Sequence, residues 1–379
     1  MNVAFVSNVV YPFVKGGAEK RIHEIGKRLV ENGHEVTVYG RHFWDGPELI
    51  EQGGMTLQAV APSAEIYEGE RRSITEAIDF SVRLLRPLRT ALAERDHDVV
   101  VASVFPYFPV LSSRLASIGQ DTPLVTTWHE VWRSYWKEYL GYLWPFGAGV
   151  EAVTARTPQY PVAISDVTAD RLAEIGPDRE NIETVPNGID VKQVRTAPEP
   201  ADGYDVLFAG RLIEHKNVDV LLSAFDRVVA GRDVRLGIIG DGPETENLQQ
   251  QADGIDHADQ IDFLGFLDDY EDVLGHMRAA DVFVSPSTRE GFGITFIEAM
   301  AADCTVIAAD HPNSAASTVI GDHGRLVEPT VDGVAAALND ALTEDDSGAD
   351  PVARARQYDW DQVAVRAEEV YRRAAVQEW

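Results

Sequence analysis

The chain has 379 residues, 45% of them hydrophobic and 25% charged, with a formal net charge of −29. That length suits two domains, each with a core of its own, and so negative a field speaks against nucleic acid as a partner. No stretch has the roughly 18 consecutive apolar residues of a membrane span, and the only cysteine, Cys304, excludes an intramolecular disulfide and a cysteine metal cluster.

The basic charge is mostly arginine, with lysine confined to Lys15, Lys20, Lys27, Lys137, Lys192 and Lys216. A lysine-poor acidic surface is expected of a halophilic protein, whose self-repulsion is screened by salt; the plainer alternative is a soluble acidic enzyme. Met1–Val6 reads as a strand without a basic leader or cleavage site, so no signal peptide and a cytoplasmic location are expected.

In chain order, Val3–Ser7 reads as a buried strand, Gly16-Gly17 opens a helical pattern through Ile22, Ile25 and Leu29, and Glu35–Tyr39 is the next strand. This is a βαβ start and predicts a parallel sheet. Ile74, Ile78, Val82, Leu85, Leu88 and Leu92 form a helical stripe, kinked or restarted at Pro87. Further strands are expected at Asp98–Ser103, Leu124–Thr127 and Val162–Ile164. The proline-rich stretch Arg195–Gly203 reads as a linker.

The alternation then restarts, with strands at Val206–Ala209, Val234–Ile239, Ile261–Phe263, Val282–Ser285 and Thr305–Ala308. Helices are expected at Val218–Val229, Glu244–Ala252, Tyr270–Ala279 and Ile294–Ala301, and a last one from Tyr358 that crosses back to the first domain. The fold class is α/β, and the domain boundaries are read as 1–197, 204–357 and 358–379. Ligands of such sheets bind beyond the carboxyl ends of the strands.

Three segments carry chemistry. In Glu290-Gly-Phe-Gly-Ile-Thr-Phe-Ile-Glu298, Gly291 and Gly293 let backbone approach a ligand, and the helix starting near Ile294 points free N–H groups and its dipole at the loop. That suits a diphosphate, while the flanking carboxylates suit sugar hydroxyls. In Phe208-Ala-Gly-Arg211-Leu-Ile-Glu-His-Lys216-Asn217, a guanidinium fork and a point charge follow a strand end and would neutralise a pyrophosphate. Gly240-Asp-Gly-Pro-Glu244 by itself is a well-made turn.

Taken in order, Gly16-Gly17-Ala18-Glu19, Asn187-Gly188-Ile189-Asp190, Gly210-Arg211 with Lys216, Gly240–Glu244 and Glu290…Glu298 closely resemble the retaining glycosyltransferases of family four. The resemblance covers nearly the whole chain and is most specific from Asn187 to Ala302. It implies the GT-B fold, two Rossmann-like domains facing a cleft, with an acceptor-side first domain and a donor-binding second one.

By position, the resemblance implies that Arg211 and Lys216 bind the donor diphosphate and stabilise the leaving group. Glu298 would hold the ribose, Glu290 the transferred sugar, and the backbone of Phe292, Gly293 and Ile294 would assist. Gly16 and Gly17 would approach the donor, His129 would contact the sugar, and Gly265-Phe266 would hold the base through main-chain atoms. The implied reaction moves a hexose-type sugar from a nucleoside-diphosphate donor to a glycan, lipid or lipid-linked acceptor with retention. It needs neither a cofactor beyond that co-substrate nor a metal. A nucleotide-sugar epimerase or a phosphorylase-like enzyme on the same architecture is the alternative.

Plainer readings stand beside these: solvated acids at a helix start, surface cations, a satisfied core histidine, and a buried Cys304. The aromatic run Trp128, Trp132, Tyr135, Trp136, Tyr139, Tyr142 and Trp144 reads as core, or else as an acceptor pocket or interfacial surface. Arg71, Arg72, Arg83, Arg86, Arg89 and Arg95 form a locally basic stretch. It suits peripheral contact with anionic membrane lipid or a lipid-phosphate acceptor, unless acids elsewhere on the fold balance it.

Overall fold

The computed structural model describes the whole chain except Lys15, Gly69, Glu70, Arg95 and residues 344–349. Arg95 and the side chain of Arg71, at the ends of the basic stretch, thus lie outside the described residues. The chain divides into two compact units, Met1–Pro186 with Trp360–Trp379, and Asn187–Asp359.

The first unit runs β1 (Asn2–Val6), α1 (Gly17–Glu31), β2 (Glu35–His42), β3 (Leu49–Gln52), β4 (Met55–Pro62), β5 (Tyr67–Glu68), β6 (Arg71–Arg72) and α2 (Ile74–Glu94). It continues with β7 (Val99–Ser103), α3 (Phe108–Ala116), β8 (Leu124–Trp128), α4 (Trp136–Leu140), α5 (Trp144–Arg156), β9 (Tyr160–Ala163), α6 (Asp166–Ala173) and β10 (Glu183–Thr184). Its eight-stranded sheet has the order β10-β9-β8-β7-β1-β2-β4-β3. Every pair is parallel except β3 with β4.

The central strands are apolar runs because helices cover both faces. Ile22, Ile25 and Leu29 of α1 pack with Phe5 and Val38 in one core. Phe80, Leu84 and Leu88 of α2 pack with Val6, Ala102 and Trp128 in another.

The stripe expected to be helical is one helix, α2, but its apolar residues divide between core and solvent. Leu88 and Leu92 are buried, but Ile74, Ile78 and Val82 are exposed; Ala77, Phe80 and Leu84 face the core instead. Helix α2 continues through Pro87 without a break.

The second unit runs α7 (Val191–Thr196), β11 (Val206–Ala209), α8 (Val218–Val229), β12 (Leu236–Ile239), α9 (Thr245–Asp253), β13 (Ile261–Gly265), α10 (Tyr270–Ala279) and β14 (Val282–Ser285). Then come α11 (Ile294–Ala301), β15 (Thr305–Ala309), α12 (Ala316–Ile320), β16 (Arg325–Val327), α13 (Val331–Ala341) and α14 (Pro351–Arg356). The six strands lie in the order β13-β12-β11-β14-β15-β16 and are all parallel. Phe208, Leu221, Phe225, Ile238 and Val284 anchor its core.

The last helix, α15 (Trp360–Ala375), belongs to the first unit. Trp360, Val363, Val370 and Tyr371 join the α1 core, and Phe5 meets Tyr371 edge-on with 6.0 Å between ring centroids. The Glu368 carboxylate fastens the helix to the end of α1, at 3.0 Å from His34 Nε2 and 2.8 Å from Asn32 Nδ2.

The proline-rich stretch is not a free linker. It begins inside α7 and lies wholly in the second unit, and the division of the chain falls earlier, between Pro186 and Asn187. The Pro198 carbonyl packs where a Cβ on Gly275 would stand, and Arg278 pairs with Glu199 at 2.8 Å. Backbone held by carbonyl packing and an ion pair is part of a fold, whatever its proline content.

Candidate active site

The three loops that follow β11, β12 and β13 are interlocked through glycine. Gly240 has φ +134°, and a Cβ there would meet the Gly210 carbonyl; one on Gly242 would meet the Leu212 carbonyl. Leu212 N–H donates to Asp241 O at 3.0 Å and Glu244 N–H to Leu212 O at 3.1 Å, while Gly240 N–H reaches Gly265 O at 2.8 Å. Gly240–Glu244, by itself a well-made turn and one of the motifs of the family resemblance, is the brace that sets the Arg211 loop. Arg211 itself is exposed beside this brace.

A second brace brings Lys216 to Glu290. Asn217, in left-handed conformation at φ +50°, caps the approach to α8 and donates from Nδ2 to Pro286 O at 2.9 Å. Thr288 N–H donates to His215 O at 3.0 Å. Glu290 is pinned on its other side by Ala315 N–H, which donates to its carbonyl at 2.9 Å. Between these anchors the Lys216 ammonium and Glu290 carboxylate form a mostly buried ion pair. Two residues that the sequence assigned to separate motifs thus act on one point.

Helix α11 starts at Gly293, whose φ of +79° suits glycine and whose missing Cβ leaves room for the Phe296 ring. No side chain caps this end, and the N–H groups at an uncapped helix start favour an anion. Phe292 is buried, with its ring centroid 5.8 Å from that of Tyr358, and Ile294 is half-buried. One turn on, Glu298 is only 2% exposed, and its Oε2 accepts a hydrogen bond from the Tyr270 hydroxyl at 2.5 Å. Burial and the Glu298 carboxylate push the Tyr270 phenol well above its ordinary pKa, so it remains a donor. Gly265, at φ +70°, ends β13, and the Phe266 side chain after it is 74% exposed.

Within the first unit, Gly16 and Gly17 are exposed at the start of α1. A Cβ on Gly16 would strike the Glu19 carboxylate, whereas Gly17 opens onto empty space. Glu19 is buried, which raises its carboxyl pKa against the lowering influence of its own backbone N–H and Arg72. This helix start therefore already carries an acid.

His129 follows β8 with its Nε2 3.5 Å from Ser103 Oγ. Burial, then the charges of Arg21 and Arg72, push its pKa down to about 3, so the imidazole is neutral at ordinary pH. Arg21 is buried and donates to Val185 O at 3.0 Å and to Pro186 O.

Arg72 was counted with a basic surface stretch, but it turns inward. It donates to Asn8 Oδ1 at 2.9 Å and to Phe105 O at 3.2 Å, and stands over the Phe105 ring. The acids nearby are also committed: Arg41 is fully buried against Glu76 at 2.6 Å and Asp79 at 2.9 Å, and Asp79 also binds Arg83 at 2.7 Å.

Tyr270 and Asn217 were not singled out in the sequence. Asn217 follows Lys216 directly and could have been read as a left-handed cap; Tyr270 looked like an ordinary first residue of α10. Cys304 is buried, with Sγ 3.0 Å from Met277 O, and burial pushes its thiol pKa up. His97 is a satisfied core histidine, 2.8 Å from the Tyr39 hydroxyl and 2.7 Å from Asn2 Oδ1. Among the described residues no group of His, Cys, Asp and Glu is arranged to hold a metal ion, and no helix is long and apolar enough to cross a membrane.

Comparison with known proteins matches both units. Residues 15–193 match the family described as Glycosyltransferase Family 4 and residues 192–358 the one described as Glycosyl transferases group 1. The chain is 33% identical over 375 residues to the phosphatidyl-myo-inositol mannosyltransferase of Mycolicibacterium smegmatis, covering 94% of this chain and 90% of that protein. It is 27% identical to the GDP-mannose-dependent alpha-(1-6)-phosphatidylinositol monomannoside mannosyltransferase of Mycobacterium tuberculosis, with 94% of each covered. The fold is shared with sucrose-phosphate synthase from Thermosynechococcus elongatus, at TM-score 0.77 and 18% identity over 99% of both chains. The chain therefore belongs to glycosyltransferase family four and is a glycosyltransferase of the GT-B fold.

Proposed function

We propose that this glycosyltransferase moves a mannosyl-type hexose, with retention, from a nucleoside-diphosphate donor to a lipid-linked acceptor. The observation that carries the donor half is the strand-end site of the second unit, where Lys216 and Glu290 pair close to an uncapped helix start. The names of the relatives, one GDP-mannose-dependent and both naming phosphatidylinositol lipids, support the choice of sugar and acceptor.

In this reading the donor diphosphate exchanges partners with the ion pair. Lys216 and Arg211 meet the phosphates together with the backbone at Phe292, Gly293 and Ile294. Glu290, released from Lys216, takes hydroxyls of the transferred sugar. Glu298 takes the ribose, and the main chain at Gly265-Phe266 takes the base. As the glycosidic bond breaks, negative charge grows on the diphosphate where the cations and helix start are already in place. The acceptor hydroxyl attacks from the face the diphosphate leaves.

His129, neutral in the first unit, serves as a hydrogen-bonding contact for the sugar, and Gly16 and Gly17 keep side chains away from the donor. No cofactor is needed beyond the sugar nucleotide. The lysine-poor acidic composition is read as an adaptation to high salt.

The test is transfer by the purified protein in molar potassium chloride, with GDP-mannose or UDP-glucose and a phosphatidylinositol acceptor. NMR of the product reads the anomer, and an EDTA arm reads metal dependence. An α-mannoside formed from GDP-mannose, undiminished by EDTA, is expected. An inverted product, or conversion of the donor sugar without any acceptor as an epimerase would give, overturns the reading.

A further inference from the structure

Glu151 lies buried on α5, and its carboxylate accepts four hydrogen bonds. Oε1 takes the Tyr107 hydroxyl at 2.9 Å and the Trp132 N–H at 2.7 Å. Oε2 takes the Arg133 N–H at 3.0 Å and the Trp136 Nε1–H at 3.1 Å. Among the described residues no arginine or lysine pairs with it, and the Arg133 guanidinium turns away to Glu174. Burial and this carboxylate push the Tyr107 phenol well above its ordinary pKa, so it stays a donor.

The donors come from two loops at the carboxyl ends of paired strands, where ligands of parallel sheets bind. Tyr107 follows β7, whereas Trp132 and Arg133 follow β8. Each loop holds one bulky residue in the left-handed region, Phe105 at φ +79° and Arg133 at φ +48°. Such backbone persists only where its surroundings over-determine it. The Phe105 and Trp132 rings meet with centroids 4.5 Å apart, and a Cβ on Gly147, one turn before Glu151, would strike the Trp136 ring. The helical turn Arg133–Tyr135 has no side-chain cap of its own; Glu151 supplies one from another helix.

His129 begins the second of these loops. Trp132 is the third residue after it, and its Nε2 is 3.5 Å from Ser103 Oγ at the end of β7. A core built for stability alone often gains more from a well-packed apolar side chain than from a buried charge. A carboxylate held by four donors instead fixes one conformation of the backbone that carries the imidazole.

We propose that Glu151 is a positioning residue for sugar transfer: by clamping the loops after β7 and β8 it aims the His129 imidazole at the transferred sugar. This rests on the reading of His129 as a contact of that sugar and names what holds it there.

The experiment is a double-mutant cycle on kcat in molar potassium chloride, with GDP-mannose and phosphatidylinositol as substrates. GDP binding is measured by calorimetry on the same preparations. His129→Ala should lower kcat. Glu151→Gln keeps the side chain's shape but turns an NH₂ group towards two of the four donors. It is expected to lower kcat about tenfold or more beside an intact His129, the effect of a misplaced contact group. In the His129→Ala background the same change should cost less than about twofold, because the group it positions is gone. Affinity for GDP, which lacks the sugar, should be unchanged.

Losses that multiply in the double variant, or wild-type kcat in Glu151→Gln, overturn the proposal. So does a fall in GDP affinity, which would mark a general loosening of the fold. Should Glu151→Gln fail to fold, Tyr107→Phe replaces it in the cycle. That change deletes one donor, keeps the ring and should cost about threefold in kcat; wild-type kcat there overturns the proposal equally. Wild-type kcat in His129→Ala is a different result, since it removes the sugar-contact reading and the proposal with it. Multiplied losses remove only the role of Glu151.

Discussion

The ammonium of Lys216 and the carboxylate of Glu290 neutralise each other at the mouth of the second unit's sheet, although 74 residues separate them in the chain. An ion pair beside an uncapped helix start keeps both members oriented and gives an incoming diphosphate something to exchange with. Glu290→Gln and Glu290→Ala should each lower turnover by roughly two to three orders of magnitude, and donor binding by calorimetry should change far less. Wild-type turnover in Glu290→Ala, with an unchanged melting curve, would falsify its assignment to the transferred sugar.

The Tyr270–Glu298 hydrogen bond makes a different prediction. A 2.5 Å bond to a carboxylate that is 2% exposed is worth about 1–3 kcal/mol once its donor is deleted. Tyr270→Phe should therefore lower Tm, by about 2–4 °C for each kcal/mol. Saturating donor should restore part of the loss, because ribose hydroxyls supply the missing donors. A variant whose melting temperature does not respond to donor would remove Glu298 from the ribose site.

His129 is held near pKa 3 by burial and by Arg21 and Arg72, against an unfolded value of about 6.5. Because the unfolded chain takes up a proton that the folded chain refuses, His129 stabilises the fold fully above pH 6.5. That contribution is lost as pH falls from there towards 3. In His129→Asn, denaturant unfolding measured between pH 7 and 4 should show a shallower fall in stability than wild type. The same slope in both proteins would mean that the histidine titrates normally.

Glu368 acts in the next window down. Burial alone would raise its pKa, but hydrogen bonds from His34, Arg372 and Asn32 hold it at about 2. The stability it lends is complete above an unfolded pKa of about 4.5 and disappears as pH falls to 2. In Glu368→Gln, hydrogen exchange should show α15 opening more readily at pH 6, with the difference from wild type closing towards pH 2. A constant difference across that range would indicate packing rather than charge.

Gly242 lies against the Leu212 carbonyl with no room for a Cβ. Gly242→Ala should displace the Arg211 loop and weaken donor binding, at a cost of about 1–3 kcal/mol. Gly231, at positive φ but with nothing within 4 Å, is the control. Its alanine variant should be strained yet bind donor normally.

Much of the second unit could be read directly from the chain. Val206–Ala209, Val218–Val229, Tyr270–Ala279, Val282–Ser285 and Ile294–Ala301 appear as elements with the bounds the apolar pattern suggested. A buried parallel strand and an amphipathic helix each write their period locally, and glycine marks where backbone must turn. The α/β class and the family resemblance followed from that order of short signals.

What the chain could not disclose is which residues share a point in space. The Lys216–Glu290 pair, the phenol of Tyr270 on Glu298 and the inward turn of Arg72 are long-range side-chain contacts with no local period. The side of α2 that meets water was not legible for a related reason. Ile74, Ile78 and Val82 have the spacing of a core stripe, but only the packed sheet decides which of two apolar faces is buried. The proline-rich stretch looked like a linker because composition reports local stiffness, whereas its attachment to α10 depends on Gly275 and Arg278, some 80 residues further on. Periodicity is carried by neighbours in sequence and a site by neighbours in space, and only folding converts one into the other.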